Sequence, residues 1–258
     1  MKRVFIAVMT IMMCLGSVHS SHAGETIRLT NGEWPPYMSE TLQYGGTASR
    51  IVTEAFALEG VTVQYGWFPW KRGFIYAQKG KWDGSIGWKK TEDRKKFFHF
   101  SKPLFEGKTV FFHLKSFDFD WNTIDDLKIF RIGGTLGYGG YGEAFAQAEK
   151  DKLINVERIP RDEQNFRKLL FKRIMLFPLD LNVGYAILNQ HFAPDEIEKI
   201  TYHSKPLVSN LYHLILSKKV ERNGRMMELF SEGLKQLKAS GKYDQFLEES
   251  KSGDYSKN

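Results

Sequence analysis

WKRGFIYAQKGKWDGSIGWKKTEDR, residues 70–94, decides how the chain folds. Residues 70–79 read as a short helix closed by Gly80. Residues 83–88 read as a strand. Thr91 then offers a hydroxyl to cap a second helix, with Glu92 and Asp93 as first-turn acids against its positive end. Helix, turn, strand and helix in so short a span argue for βαβ units, and so for a mainly parallel sheet covered by helices.

Reading outward toward the N-terminus, residues 26–30 form a strand stopped by Asn31-Gly32 and Pro35-Pro36. Thr47 is expected to cap a helix whose Ile51, Val52, Ala55, Phe56 and Leu58 share one face and which ends at Gly60. Residues 61–68 alternate as a strand. Reading toward the C-terminus, an apolar strand over 108–113 and a turn-rich stretch over 116–123 precede a second alternating set. Its strands fall at 130–135, 155–159, 174–179, 199–203 and 211–217, and its helices at 143–150, 162–172 and 181–191. A long amphipathic helix over 220–240 ends at Gly241, and the chain from Glu248 is polar and expected to fray. No internal repeat is visible in the sequence. Two α/β sets joined near 110 and again near 205 predict two lobes: residues 24–110 with 206–250, and residues 111–205, with 251–258 as a polar tail.

The first residues bear on location. Met1-Lys2-Arg3 is cationic, Val4 to Val18 is almost wholly apolar, and Ser21-His22-Ala23 places small residues where a signal peptidase reads them. This is the order of a secretory signal, cut after Ala23, and it places the protein in the periplasm. The apolar run is too short to span a bilayer. Cys14, the only cysteine, lies inside it and lacks the small residue that lipid-attachment sites carry nearby. The rest of the chain therefore has no thiol and must rest on its apolar core. Hydrophobic residues make up 42% of the 258, enough for such a core at this length. The formal net charge of +7 is spread along the chain rather than gathered into a nucleic-acid patch, and two of the positive charges leave with the signal.

Five stretches, in order, resemble the family 3 extracellular solute-binding proteins, the amino-acid-type substrate-binding components of ABC importers. They are residues 26–37 with Trp34-Pro35-Pro36-Tyr37, and residues 70–88 with Lys79-Gly80-Lys81-Trp82-Asp83-Gly84. Thr91-Glu92-Asp93-Arg94-Lys95-Lys96 follows, with Phe100-Ser101-Lys102-Pro103. The last two are Asp125-Asp126-Leu127-Lys128 running into Ile132-Gly133-Gly134-Thr135, and the closing Leu237 to Tyr243. The resemblance implies the type II periplasmic-binding-protein fold, an α/β architecture of two lobes joined by a two-strand hinge, with the ligand between them. It also implies a monomer that captures a small polar, carboxylate-bearing, amino-acid-like molecule and delivers it to a membrane permease or to a membrane sensor.

Eight residues are candidates to hold that ligand. The resemblance puts Arg94 on the arginine that grips a ligand carboxylate, and a guanidinium fork at a helix start suits that work. The bland alternative is an arginine paired with a surface acid. It puts Asp180 on the aspartate that meets a ligand ammonium. Asp180 follows the apolar strand 174–179, where open α/β sheets keep ligands, and it is equally well placed to cap the helix from Leu181. Trp34, Tyr37, Trp70 and Trp88 are candidate aromatic walls, with the core as the commoner fate of any one of them. Two positions depart from the family pattern: Lys89 stands where a hydroxyl is usual, and Tyr138 where a threonine is usual. Both alter pocket size and charge toward a larger, aromatic or multiply anionic solute.

Other signals carry less. Gly137 to Gly142 fits G-x-G-x-x-G with Glu157 twenty residues on, but an exported chain meets no nicotinamide pool, and the glycines equally suit an anion nest. Asp118, Asp120 and Asn122 start like a calcium loop, but Thr123 stands at the turn glycine and Ile129 at the bidentate glutamate. The histidines have no metal-type spacing, so neither a metal nor a cofactor is expected. An exported enzyme of dehydratase type on the same fold would need acids in the cleft, and Glu33 and Asp180 are the acids within reach; no nucleophile–base pair declares itself.

Overall fold

The computed structural model describes residues 25–136, 141–252 and 255. The expected signal segment and Tyr138, with most of its glycine-rich loop, lie outside the described residues. Strands β1 (Glu25–Asn31), β2 (Val61–Trp67) and β3 (Gly84–Lys89) alternate with helices α1 (Thr47–Leu58) and α2 (Trp70–Gln78), as the spacing predicts. Then come α3 (Glu92–Lys95), β4 (Phe98–Phe100) and the long strand β5 (Phe105–Leu114). The second set is β6 (Arg131–Thr135), α4 (Glu143–Lys150), β7 (Asn155–Ile159), α5 (Asp162–Leu170), β8 (Phe177–Asp180), α6 (Leu181–His191), α7 (Pro194–Ile197) and β9 (Ile200–Tyr202). The chain closes with β10 (Val208–Ser217), α8 (Asn223–Ala239) and α9 (Lys242–Ser252).

The pairing shows a repeat that the residues do not. In the first set β1 lies between β2 and β3, parallel to both, and β10 runs antiparallel beside β3. In the second set β6 is parallel to β7, an Ile132–Leu176 bridge joins it in parallel to the segment entering β8, and β5 runs antiparallel beside β8. Each set thus has three parallel strands and one antiparallel strand lent by the other half of the chain. The lent strands also meet each other: residues 105–109 of β5 pair with 208–212 of β10. Beyond that contact β5 continues with β8 and β9, and β10 continues with β3 and β4. Two strands that are each shared between two sheets form the hinge of a two-lobed molecule.

Burial follows the pattern. Ile51, Val52, Ala55 and Phe56 of α1 face β1 and α8, joining Ile27, Leu29, Phe230 and Leu234 in one core. That core continues into the second lobe through Phe112, Phe166, Phe177 and Leu188, and a separate cluster of Phe111, Trp121, Leu127, Ile132 and Phe145 completes that lobe. Two local expectations change. Thr47 is the first residue of α1 rather than its cap. Gly46 takes the cap position at φ +89, where a Cβ would lie 2.7–2.8 Å from the carbonyl oxygens of Tyr37 and Pro36. The C-terminal stretch also departs from a frayed tail: α9 runs to Ser252, and Tyr255 is 3% exposed. Its carbonyl accepts from Gln43 N and its hydroxyl from Arg50, so sparse apolar spacing hid a segment held by polar contacts.

Candidate ligand-binding cleft

The cleft is built where β3 ends. Gly87 has φ +82, and a Cβ there would lie 2.7 Å from Met38 Cε, so the chain passes close to the Trp34–Met38 turn. Trp88 and Lys89 follow on opposite sides of the strand. Trp88 packs against Phe74 and donates from Nε1 to Ser85 Oγ at 2.8 Å. Trp70 sets its ring edge-on to Trp88 at 5.5 Å and reaches Glu33 O. Thr91 caps α3 as expected, accepting from Arg94 N, and this turn carries Arg94 back over the strand end. The guanidinium lies 4.9 Å from the Trp88 ring centre and donates to Lys89 O at 2.8 Å.

Both cations are half-buried. Among the described residues no carboxylate oxygen lies within 4.0 Å of Arg94 or Lys89. Burial pulls the Lys89 ammonium below the usual lysine range, and the Arg94 charge adds to the pull. Burial lowers Arg94 as well. Two positive charges so placed are held at a cost that an incoming anion would relieve.

On the other side of the strand Lys89 sits 6.0 Å from the ring of Tyr212. Tyr212 meets Trp34 edge-on at 4.8 Å and stacks on Phe105 at 5.1 Å, and Phe105 stacks on Tyr37 at 4.1 Å. Tyr37 is 1% exposed and its hydroxyl donates to Asp180 Oδ1 at 3.0 Å. Asp180 ends β8 and caps α6, the same oxygen accepting from Asn182 N and Val183 N. Asn182 Nδ2 closes the loop by donating to the Tyr37 hydroxyl at 3.0 Å. Burial raises the Asp180 carboxyl to about 6, against the three hydrogen bonds, from Val183, Tyr37 and Asn182, that favour its charged form. Burial, and then the Asp180 charge, push the Tyr212 phenol up to about 12.

The structure therefore gathers Arg94, Trp88 and Trp70 into one contact chain and Lys89, Trp34, Tyr37 and Asp180 into another, joined at the Trp88–Lys89 peptide. Sequence reasoning missed Tyr212, Phe105 and Asn182. The first two face each other only because β5 and β10 pair, with Tyr212 opposite Phe105, and no local spacing announces that register. Glu33 is exposed and accepts from Glu40 N, away from Asp180, so the two acids do not combine. The Asp120 carboxylate is spent on Trp121 N and His203, and no metal-ligating group of three is found among the described residues. No helix among them is long and apolar enough to cross a membrane.

The sequence profile of the bacterial extracellular solute-binding proteins, family 3, matches residues 27–250. The chain belongs to that family. The family is one of binding proteins rather than enzymes, works with the membrane components of ABC transporters, and is extracellular. No curated protein matches the chain significantly. Among solved structures, the second substrate-binding domain of GlnP from Lactococcus lactis, in an open conformation, superposes with a TM-score of 0.69 at 18% identity, over 88% of this chain and 95% of that one. An ancestral arginine-binding protein bound to arginine gives 0.61 at 24% identity, over 87% and 97%. A histidine kinase sensor domain with similarity to periplasmic binding proteins gives 0.62 at 18%, over 87% and 95%. At these identities the likeness is one of fold, and the fold is the type II clamp expected from the sequence.

Proposed function

We propose that this protein captures a small carboxylate-bearing solute between its lobes and presents the closed form to the permease of an ABC importer. The observation that carries the reading is the pair of half-buried cations, Arg94 and Lys89, with no acid partner among the described residues and with aromatic rings beside them. Arg94 and Lys89 hold the anionic group, and Trp34, Trp70, Trp88 and Tyr212 enclose the body; Tyr138, outside the described residues, is the remaining candidate wall. Asp180 and Tyr37 close the floor beside the hinge. The lobes comprise residues 24–110 with 206–250, and residues 111–205. The protein acts as a monomer after export and cleavage behind Ala23. The fold supports closure, because the lobes meet through two paired strands about which a hinge can turn. A membrane sensor is the other partner that would read the same closed form.

The test is a thermal-shift screen of protein freed of carried-over ligand by unfolding and refolding. A solute present at about a hundred times its Kd adds roughly 2.7 kcal/mol, which raises the melting point by about 5–10 °C at this size. Arg94→Ala is expected to abolish that shift while leaving the unliganded melt within about 3 °C, since the Arg94 side chain makes one hydrogen bond and two ring contacts, with Trp88 and Phe74. A variant that still responds in full removes Arg94 from the site.

A further inference from the structure

We infer that the second lobe carries a separate site, at its end away from the cleft, for a small carboxylate with an apolar body. The site is a cavity of about 220 Å³. Leu114, Phe117, Ile174 and Met175 make its apolar walls, and Ile174 is only 2% exposed, so the floor belongs to the core. Ser116, Arg131 and Lys172 supply the polar edge. At roughly 30 Å³ for each water-sized group, the space takes a body of about seven non-hydrogen atoms.

Strand geometry keeps this cavity apart from the cleft. Phe105, in the cleft floor, opens β5 and Leu114 closes it, and the 10 residues of that strand span about 30 Å. Arg131 likewise opens β6, and it is the far end of β6 that leads toward the glycine-rich loop. The chain itself shapes the mouth. Lys172 follows α5 at φ +56, and Arg131 Nη2 donates to its carbonyl at 3.1 Å. That bond fixes the turn ending the helix and anchors the guanidinium at the mouth. Among the described residues the other guanidinium N–H groups have no partner.

The charge is one-sided. Residues 114–117, 129–131 and 171–175, which form the cavity and its immediate flanks, contain Lys115, Arg131, Lys172 and Arg173 and no acid. Among the described residues neither Arg131 nor Lys172 has a carboxylate oxygen within 4.0 Å. An apolar body entering here leaves water for the walls while its carboxylate stays at the mouth. There the guanidinium fork takes both oxygens and the lysine adds a point charge. A cation would meet only like charge, and a neutral molecule would gain nothing from the fork. No residue of the cleft takes part, so the inference stands apart from the receptor reading.

Two methionines make the test direct, because Met175 lines this cavity while Met38 packs against Gly87 at the cleft. Purified protein carrying carbon-13 at its methionine methyls is titrated with butanoate, hexanoate and octanoate, and with octan-1-ol as the uncharged match. Met175→Leu and Met38→Leu assign the two signals. The expected result is a saturable shift of the Met175 methyl, with affinity rising about threefold to fourfold per methylene along the series. Octanoate is expected to bind at least about fivefold more tightly than octan-1-ol. The double variant Arg131→Gln, Lys172→Gln should remove that preference and leave octan-1-ol unchanged. If the variant does not fold, the comparison of octanoate with octan-1-ol on the unaltered protein decides by itself. No saturable Met175 shift, or a smaller preference for the anion, would overturn the inference. A Met38 shift without a Met175 shift would overturn it too, and would support the receptor reading by placing the carboxylate in the cleft.

Discussion

Tyr37→Phe takes one oxygen from the middle of the molecule and leaves the ring where it is. That oxygen donates to Asp180 Oδ1 and accepts from Asn182 Nδ2, both at 3.0 Å, between residues that are 1% and 3% exposed. A hydrogen bond to a charged group contributes about 1.5–3 kcal/mol, and a neutral one about 1. The stacking on Phe105 survives the change, so packing adds little. The expected loss is about 3 kcal/mol at pH 7, or roughly 6–12 °C in melting temperature for a chain of this size. Acid should soften it. Asp180 titrates near 6, and once protonated it is a weaker acceptor, so at pH 4.5 the loss should shrink to about 1 kcal/mol. Urea denaturation followed by circular dichroism at the two pH values measures both. A variant within about 0.5 kcal/mol of the wild type at pH 7 would mean that the bond is not formed in solution, and the account of the cleft floor would fall with it.

Three further outcomes are expected. Asp180 has its carboxyl raised from an ordinary 3.8 to about 6, so its contribution is fullest below 3.8 and is lost as pH rises through 6; relative to Asp180→Asn, wild-type stability should fall by about 3 kcal/mol between pH 4 and 7, and a pH-independent difference in paired urea melts would refute the assignment. Gly233→Ala would put a methyl carbon 1.9 Å from Ala55 O where α8 crosses α1, forcing the helices apart at a cost of about 2–4 kcal/mol; chemical denaturation showing no change would mean the helices do not cross there. Tyr255→Ala removes a buried ring, the hydroxyl that receives Arg50 and an edge-on contact with Tyr44, and should cost about 3 kcal/mol; a loss below about 0.5 would restore the frayed tail that the sequence suggested.

Particular residues show why part of this was legible and part was not. Thr91, Glu92 and Asp93 announce a helix start because capping is local, and the structure puts the cap where they place it. Gly80 and Gly60 end helices at φ +74 and +72, for reasons equally local. Thr47 misled because a hydroxyl suits a cap anywhere, while the true cap position is fixed by the carbonyl oxygens of Pro36 and Tyr37, which come from a different turn. Tyr255 misled because its partners, Gln43 and Arg50, are some two hundred residues away.

Local pattern was enough for the alternation of strands and helices, the two-lobed α/β class and the family. These follow from periodicity and from motifs that are each contained within a few turns of chain. It also placed Arg94 at a helix start and Asp180 at a strand end. What those two side chains face depends on contacts that no local pattern carries. Tyr37 and Asp180 are 143 positions apart and meet at 3.0 Å. Phe105 and Tyr212 come together because two hinge strands pair in one register out of several that their apolar residues would allow. Which charge stays free for a ligand, and which is already answered, depends on such long-range contacts, and so the electrostatics of the cleft are a property of the folded chain.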